Sequence, residues 1–118
     1  MTINHKETLI YYDGDLFFIA QDGVCCNYLC IQVEQCDDYD VYFCIAISER
    51  RLRSFLDGGI DMRTVYQEPE DGRFYYARIG DFTADIEIHR IGRDDIPQDW
   101  FVDEGVYMGL EEVRDNGS

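Results

Sequence analysis

Thr8-Leu9-Ile10-Tyr11-Tyr12-Asp13-Gly14-Asp15-Leu16-Phe17-Phe18-Ile19-Ala20-Gln21-Asp22-Gly23 reads as two β-strands, each closed by an Asp-Gly step. Asp-Gly supplies the positive φ angles that tight hairpin turns require, and the flanking aromatic and β-branched residues suit a pleated, half-buried surface. A third run of the same character covers residues 25–33. It leads through the polar stretch 34–40 into a fourth run, residues 41–47. Four such runs with short polar connections predict an antiparallel meander.

Ser48 changes the period. It is a good N-cap, followed by Glu49 and by helix formers from Arg50 to Arg53; Leu52, Phe55 and Leu56 then fall at i, i+3 and i+4. Gly58 and Gly59 supply a stop. Asp61 is placed to cap a second, shorter helix that carries Met62, Val65 and Tyr66 on one side. Glu68-Pro69-Glu70-Asp71-Gly72 is a turn, and two further strands are expected over residues 73–79 and 82–91, joined at Gly80-Asp81. Beyond Pro97 the single tryptophan, Trp100, packs with Phe101 and Tyr107 from a short strand or a helical turn, and residues 115–118 fray. The expected fold is α+β: one domain over residues 1–118, with a mainly antiparallel sheet of about six strands packed against one helix plus a short second helix.

At 118 residues the chain has room for one hydrophobic core, and 46 % apolar residues argue against disorder. No apolar run approaches the roughly 20 residues of a membrane span, and the first residues lack a signal-peptide pattern, so a cytoplasmic location is expected. The five cysteines, Cys25, Cys26, Cys30, Cys36 and Cys44, are an odd number with no zinc-site spacing. They read as small core hydrophobes in a reducing compartment, with Cys25 and Cys26 on opposite faces of a strand.

The charge is uneven. The net charge of −15 comes from 25 acids and 10 bases, and 16 of the acids are Asp. Residues 1–47 hold eight acids and only Lys6, and residues 94–118 hold eight acids and only Arg114; between them nine acids nearly balance eight arginines. If the two acidic segments meet in space, they form one acidic face. Such a face suits a groove that reads duplex DNA, whose phosphates place one charge per roughly 1.7 Å and are recognised by Lys and Arg. Tyr39, between Asp38 and Asp40, is suited to stack on a partner's arginine.

Little else in the chain carries chemistry. His5 sits near an end expected to fray. Asp85, Glu87 and His89 alternate with Ile86 and Ile88 and share one strand face, the nearest approach to a divalent-metal site, although strand alternation alone explains them. Asp37-Asp38-x-Asp40 resembles the start of a calcium loop but lacks the following Gly and closing Glu. Arg50, Arg51 and Arg53 open the first helix against its dipole and are expected to pair with carboxylates. No phosphate loop, nucleophile elbow or Cys–His pair stands at motif spacing, and the sequence calls for no cofactor and no metal.

Two resemblances add to these readings. Tyr11-Tyr12-Asp13-Gly14-Asp15-Leu16-Phe17-Phe18, Ile47-Ser48-Glu49-Arg50-Arg51-Leu52 and Gly59-Ile60-Asp61-Met62-Arg63 resemble an uncharacterised family of small bacterial domains across roughly residues 8–68, with Met62 where that family usually has Leu. The resemblance implies a fold and no activity. The length, acidity and tyrosine-rich sheet of the whole chain are similar to phage-encoded anti-CRISPR proteins, particularly those acting on type I-C systems. That second resemblance implies a stoichiometric inhibitor imitating duplex DNA, which blocks recognition of the protospacer-adjacent motif by the large Cascade subunit inside the bacterial host; it carries over no individual residue.

The combined expectation is a non-enzymatic inhibitor whose partner is the basic DNA-binding surface of a Cas protein, with no direct nucleic-acid or membrane binding. The carboxylates expected to bind it are Asp13, Asp15, Asp22, Glu34, Asp37, Asp38 and Asp40, with Asp94, Asp95, Asp99, Asp103 and Glu104. The alternatives are a bacterial structural or regulatory binding module, and a metal-dependent enzyme built on Asp85, Glu87 and His89.

Overall fold

The structure, a computed structural model, describes residues 2–11, 15–24, 26–80 and 85–101. Four antiparallel strands follow in order: β1 (Thr2–Tyr11), β2 (Asp15–Gln21), β3 (Asn27–Gln35) and β4 (Asp40–Ile47). Two helices, α1 (Glu49–Leu56) and α2 (Met62–Gln67), lead to β5 (Phe74–Ile79), which pairs antiparallel with β4. Two short strands, β6 (Ile86–Glu87) and β7 (His89–Ile91), and two 3-10 turns, Arg93–Asp95 and Gln98–Trp100, complete the described chain. The expected α+β architecture holds, with seven strands in one sheet against two helices.

The expected strand over residues 82–91 is two strands with different partners. β6 pairs with β1 at Thr2 and Ile3, whereas β7 pairs with β5 from Phe74 to Tyr76. The sheet order is β6-β1-β2-β3-β4-β5-β7, and only Ile88 separates the two outermost strands in sequence. Two residues of extended chain span roughly 7 Å at most, so the edges at β1 and β5 are drawn together and the sheet curls into a barrel. Ile86 and Ile88 are both buried, and the exposed residues Asp85, Glu87 and His89 alternate with them. The side-chain pattern therefore passes unbroken through the point where the backbone changes partner, which is why the sequence reads as one strand.

Curling gives the sheet two buried faces. The concave face encloses Ile3, Phe18, Ala20, Tyr28, Cys30, Tyr42, Cys44, Tyr75, Ala77, Ile79, Ile86 and Ile88. Ala20, Cys30, Cys44 and Ala77 leave room for the rings beside them, the small-with-large filling that a narrow barrel needs. Phe17, Ile19, Leu29, Val41, Phe43, Ile45 and Ile47 point the other way, beneath α1, α2 and the turns at residues 93–100. Phe43 is the hub of that outer core, with ring centroids 5.1 Å from Tyr66, 5.6 Å from Trp100 and 5.5 Å from Phe101.

Both helices start as the sequence predicts. Ser48 accepts the Arg51 N–H at 3.2 Å, and Asp61 accepts the Thr64 N–H at 2.9 Å. Gly58 ends α1 at φ 84°, a backbone angle that L side chains rarely adopt. Tyr66 donates its hydroxyl proton to the Leu29 carbonyl at 2.8 Å, tying α2 to β3.

Several boundaries are corrected. β1 begins at Thr2 and not near residue 8, so His5 is part of the sheet: it stacks on Phe18 at 5.0 Å and shares a hydrogen bond with Thr8. Register shifts between His5 and Tyr11 break the simple alternation there, which hides the strand from a periodicity reading. β3 begins at Asn27, after a turn in which the Asp22 N–H donates to the Cys26 carbonyl, and Cys25 lies outside the described residues. Cys30 and Cys44 face each other across β3 and β4 and are fully buried, but Cys26 and Cys36 are exposed. Two of the four described cysteines are thus the core hydrophobes expected.

Phe43→Ala should lower unfolding free energy by about 3–5 kcal/mol, since the ring contacts four aromatic neighbours and its loss leaves a cavity. Chemical denaturation measures it. Burial pushes the Cys30 thiol and the Tyr66 hydroxyl well above their ordinary values of 9.0 and 10.0, with Cys44 adding to the shift at Cys30. Groups held protonated in the fold but free to ionise when unfolded stabilise fully below their unfolded values, and that contribution is lost as pH rises. The urea midpoint should therefore fall between about pH 8 and pH 10.5, and Tyr66→Phe should make that fall shallower.

Candidate functional site

The β3–β4 hairpin keeps pairing to its tip. Glu34 and Gln35 pair with Val41 and Asp40 beyond an irregularity after Gln32, so only residues 36–39 form the turn, closed by the Cys36 N–H donating to the Tyr39 carbonyl at 2.9 Å. Asp37 and Asp38 are exposed there and Asp40 is half-buried. Gly80, at the end of β5, passes close beneath: a Cβ on it would stand 2.8 Å from the Asp38 carbonyl oxygen. Glycine is what lets β5 leave the sheet against the acidic tip.

The opening turns of the second acidic segment arrive at the same place. Ile96 and Trp100 are buried in the outer core, and this burial lays residues 93–100 across β4 and β5. Trp100 Nε1 donates to Glu34 Oε2 at 2.9 Å, a charge-assisted bond between the two acidic segments. Asp94, Asp95 and Asp99 are exposed on the turns. Between hairpin and turns lies a cleft of about 430 Å³ whose walls include Glu34, Tyr39, Tyr76, Arg78, Asp95 and Trp100.

The predicted acids therefore divide. Glu34, Asp37, Asp38, Asp40 and Asp95 are gathered around this end, with Asp94 and Asp99 on the same turns. Asp15 opens β2 at the end of the barrel where β3 finishes, as the pairing of Phe17 with Ile31 requires; only its backbone is described. Asp22 lies at the opposite end, in the β2–β3 turn. Its carboxylate is turned inward, accepting the Val24 and Cys26 N–H groups at 2.9 and 3.0 Å and the Tyr28 hydroxyl at 3.4 Å. It holds a turn together and stands apart from the other acids. Asp13, Asp103 and Glu104 lie outside the described residues, as does Tyr107.

A second cleft, of about 420 Å³, opens at the Asp22 end beside Gln21, Asn27, Glu49, Glu70 and Asp71. Its polar groups are engaged with one another or with backbone. Gln21 donates to Asn27, Asn27 donates to Glu49, and Glu70 accepts the Ser48 N–H. Those bonds anchor the start of α1 to the sheet.

The arginines that open α1 are less tied to carboxylates than expected. Arg53 stands 3.8 Å from Glu49 on the same exposed helix face, a weak pair, and Arg51 donates to the Glu68 carbonyl at 2.8 Å. Glu87 and His89 are on two strands with different partners, Asp85 lies just before the first of them, and His89 lies against the Tyr76 ring at 5.3 Å. Among the described residues, no group of three or more His, Cys, Asp or Glu side chains is placed to hold a metal ion, at this triplet or at the hairpin acids.

Tyr76 and Arg78 are cleft residues that the sequence reading missed. The alternation of β5 carried the signal: Phe74, Tyr76 and Arg78 share one face, and Phe74 belongs to the outer core.

The chain belongs to a family of unknown function, DUF6575, whose profile matches residues 7–114. That span includes all eight acids of the first acidic segment, seven of the eight in the second, and the arginine-balanced middle. No curated protein and no solved structure matches the chain.

Glu34→Ala should release the Trp100 indole, lowering stability by about 1 kcal/mol and shifting the tryptophan emission to the red. Asp99→Ala should leave both unchanged. Equal behaviour of the two variants would show that the Glu34–Trp100 bond does not hold the segments together.

Proposed function

We propose that this family member is a non-enzymatic inhibitor that presents its acidic end, in place of duplex DNA, to the basic DNA-binding surface of a CRISPR–Cas surveillance complex. The observation that carries the reading is the hydrogen bond from Trp100 to Glu34, which joins the hairpin bearing Asp37, Asp38 and Asp40 to the turns bearing Asp94, Asp95 and Asp99. Fixed carboxylates on a folded surface attract a DNA-binding groove over distances set by the Debye length, about 8 Å at physiological salt. Rigidity matters because a disordered acidic tail would lose ordering entropy on binding, whereas the paired β3–β4 hairpin is already ordered.

The choice of a type I-C complex, and of its large subunit as partner, rests on the resemblance in length, acidity and tyrosine content. A regulatory binding module of another bacterial system would use the same acidic end on a different basic partner.

A competition assay tests the proposal. A purified type I-C surveillance complex is offered target duplex DNA with and without the chain, across a salt titration. DNA binding should be lost near equimolar inhibitor, less so at high salt. Joint Asp37→Asn, Asp38→Asn, Asp40→Asn, Asp94→Asn and Asp95→Asn changes should weaken inhibition by about tenfold or more. Unchanged DNA binding at excess inhibitor would overturn this partner. Full loss from any one of these Asp→Asn changes, with the fold intact, would overturn the distributed-charge mechanism.

A further inference from the structure

The cleft at the acidic end already contains one guanidinium. Arg78 Cζ stands 5.5 Å from the centroid of the Tyr76 ring and 6.0 Å from that of Tyr39. In a chain with 25 acids, no carboxylate among the described residues forms an ion pair with it. Two tyrosine faces hold it instead. A guanidinium is planar and weakly hydrated and stacks well on such faces, whereas a lysine ammonium is compact and strongly hydrated.

The surroundings favour a second, incoming cation of the same kind. Tyr39 is 37 % exposed, one of two large hydrophobic residues so exposed among the described residues. Glu34 and Asp95 stand in the walls, and among the described residues Trp100 engages the Oε2 atom of Glu34, with Oε1 placed to accept from an N–H entering the cleft. Aromatic faces beside carboxylates, in a cavity of about 430 Å³, combine the two features that recognise a guanidinium: stacking and charge-assisted hydrogen bonds.

We infer that this cleft is the pocket for an arginine side chain of the partner's basic surface, and that Arg78 is a resident guanidinium which the incoming arginine displaces. The inference rests on the reading of the acidic end as a protein-binding face. It adds a specific anchor to what is otherwise a diffuse electrostatic match, and it gives Arg78 a definite role. Two like charges do not share the rings without cost, so Arg78, exposed on the sheet surface, swings out as the partner's arginine enters.

Trp100 is the only tryptophan and forms a wall of the cleft, so its fluorescence reports occupancy in the unlabelled full chain. The probes are tetra-arginine and tetra-lysine peptides at matched ionic strength. Tetra-arginine should change Trp100 emission saturably, and tetra-lysine should bind about three- to tenfold more weakly. Arg78→Ala should bind tetra-arginine about threefold or more tightly than the parent chain, because a competitor is gone. Tyr39→Ala should bind it about three- to tenfold more weakly, and Tyr39→Phe, which keeps the ring, should bind as the parent chain does. Equal affinity for the two peptides, or weaker binding by Arg78→Ala, would overturn the inference. Because the probe is a peptide, the two readings fail separately. Discrimination for arginine without inhibition of the surveillance complex overturns only the choice of partner. Inhibition without discrimination overturns only the arginine pocket.

Discussion

Ile88 joins two strands that pair with opposite edges of the sheet, and that closure gives the protein its inside. Without it, a seven-stranded sheet would offer one face to the helices and leave the other, lined by Phe18, Tyr28, Tyr42 and Tyr75, to water. With the edges drawn together, β4 is buried on both faces: every residue from Val41 to Ile45 is at most 7 % exposed. Its alternate side chains belong to two different cores. The barrel interior is filled by one set, and the outer core packs against α1, α2 and the turns that follow β7.

That outer core also sets where charge accumulates. Phe43 contacts Trp100 and Phe101, and this packing carries the segment at residues 93–100 over β4 and β5 to the acidic tip of the β3–β4 hairpin. Like charges oppose such an approach. Apolar burial at about 25 cal/mol per Å² outweighs the repulsion of exposed, screened carboxylates, each interaction of which is small in water. The acidic end is thus a consequence of aromatic packing beneath it. The cleft there holds Arg78 over the Tyr76 and Tyr39 rings.

Much of the fold was legible in the sequence. Ser48 and Asp61 marked both helix starts because capping is a local matter of one side chain and one N–H. The meander followed from alternation and Asp-Gly turns. What stayed hidden was non-local. Nothing in Asp85-Ile86-Glu87-Ile88-His89 reveals that the backbone changes partner, since both isoleucines face the same interior. The beginning of β1 is masked by register shifts. For the candidate site, the map of uneven charge marked two acidic segments, and the Glu34–Trp100 bond joins the hairpin of the first to the opening turns of the second. The same map could not separate Asp22, whose carboxylate is consumed by its own turn, from acids that stand free at the hairpin tip. Arg78 went unread because a single arginine on a strand acquires meaning only from the rings beside it.

The most direct test of the account is amide hydrogen exchange of the chain, free and bound to a type I-C surveillance complex. Protection on binding should concentrate at residues 34–40 and 93–100, the two segments joined at the acidic end, and should spare residues 22–26 at the other end of the barrel. Protection centred on residues 22–26 and 70–73, or no change anywhere, would contradict it.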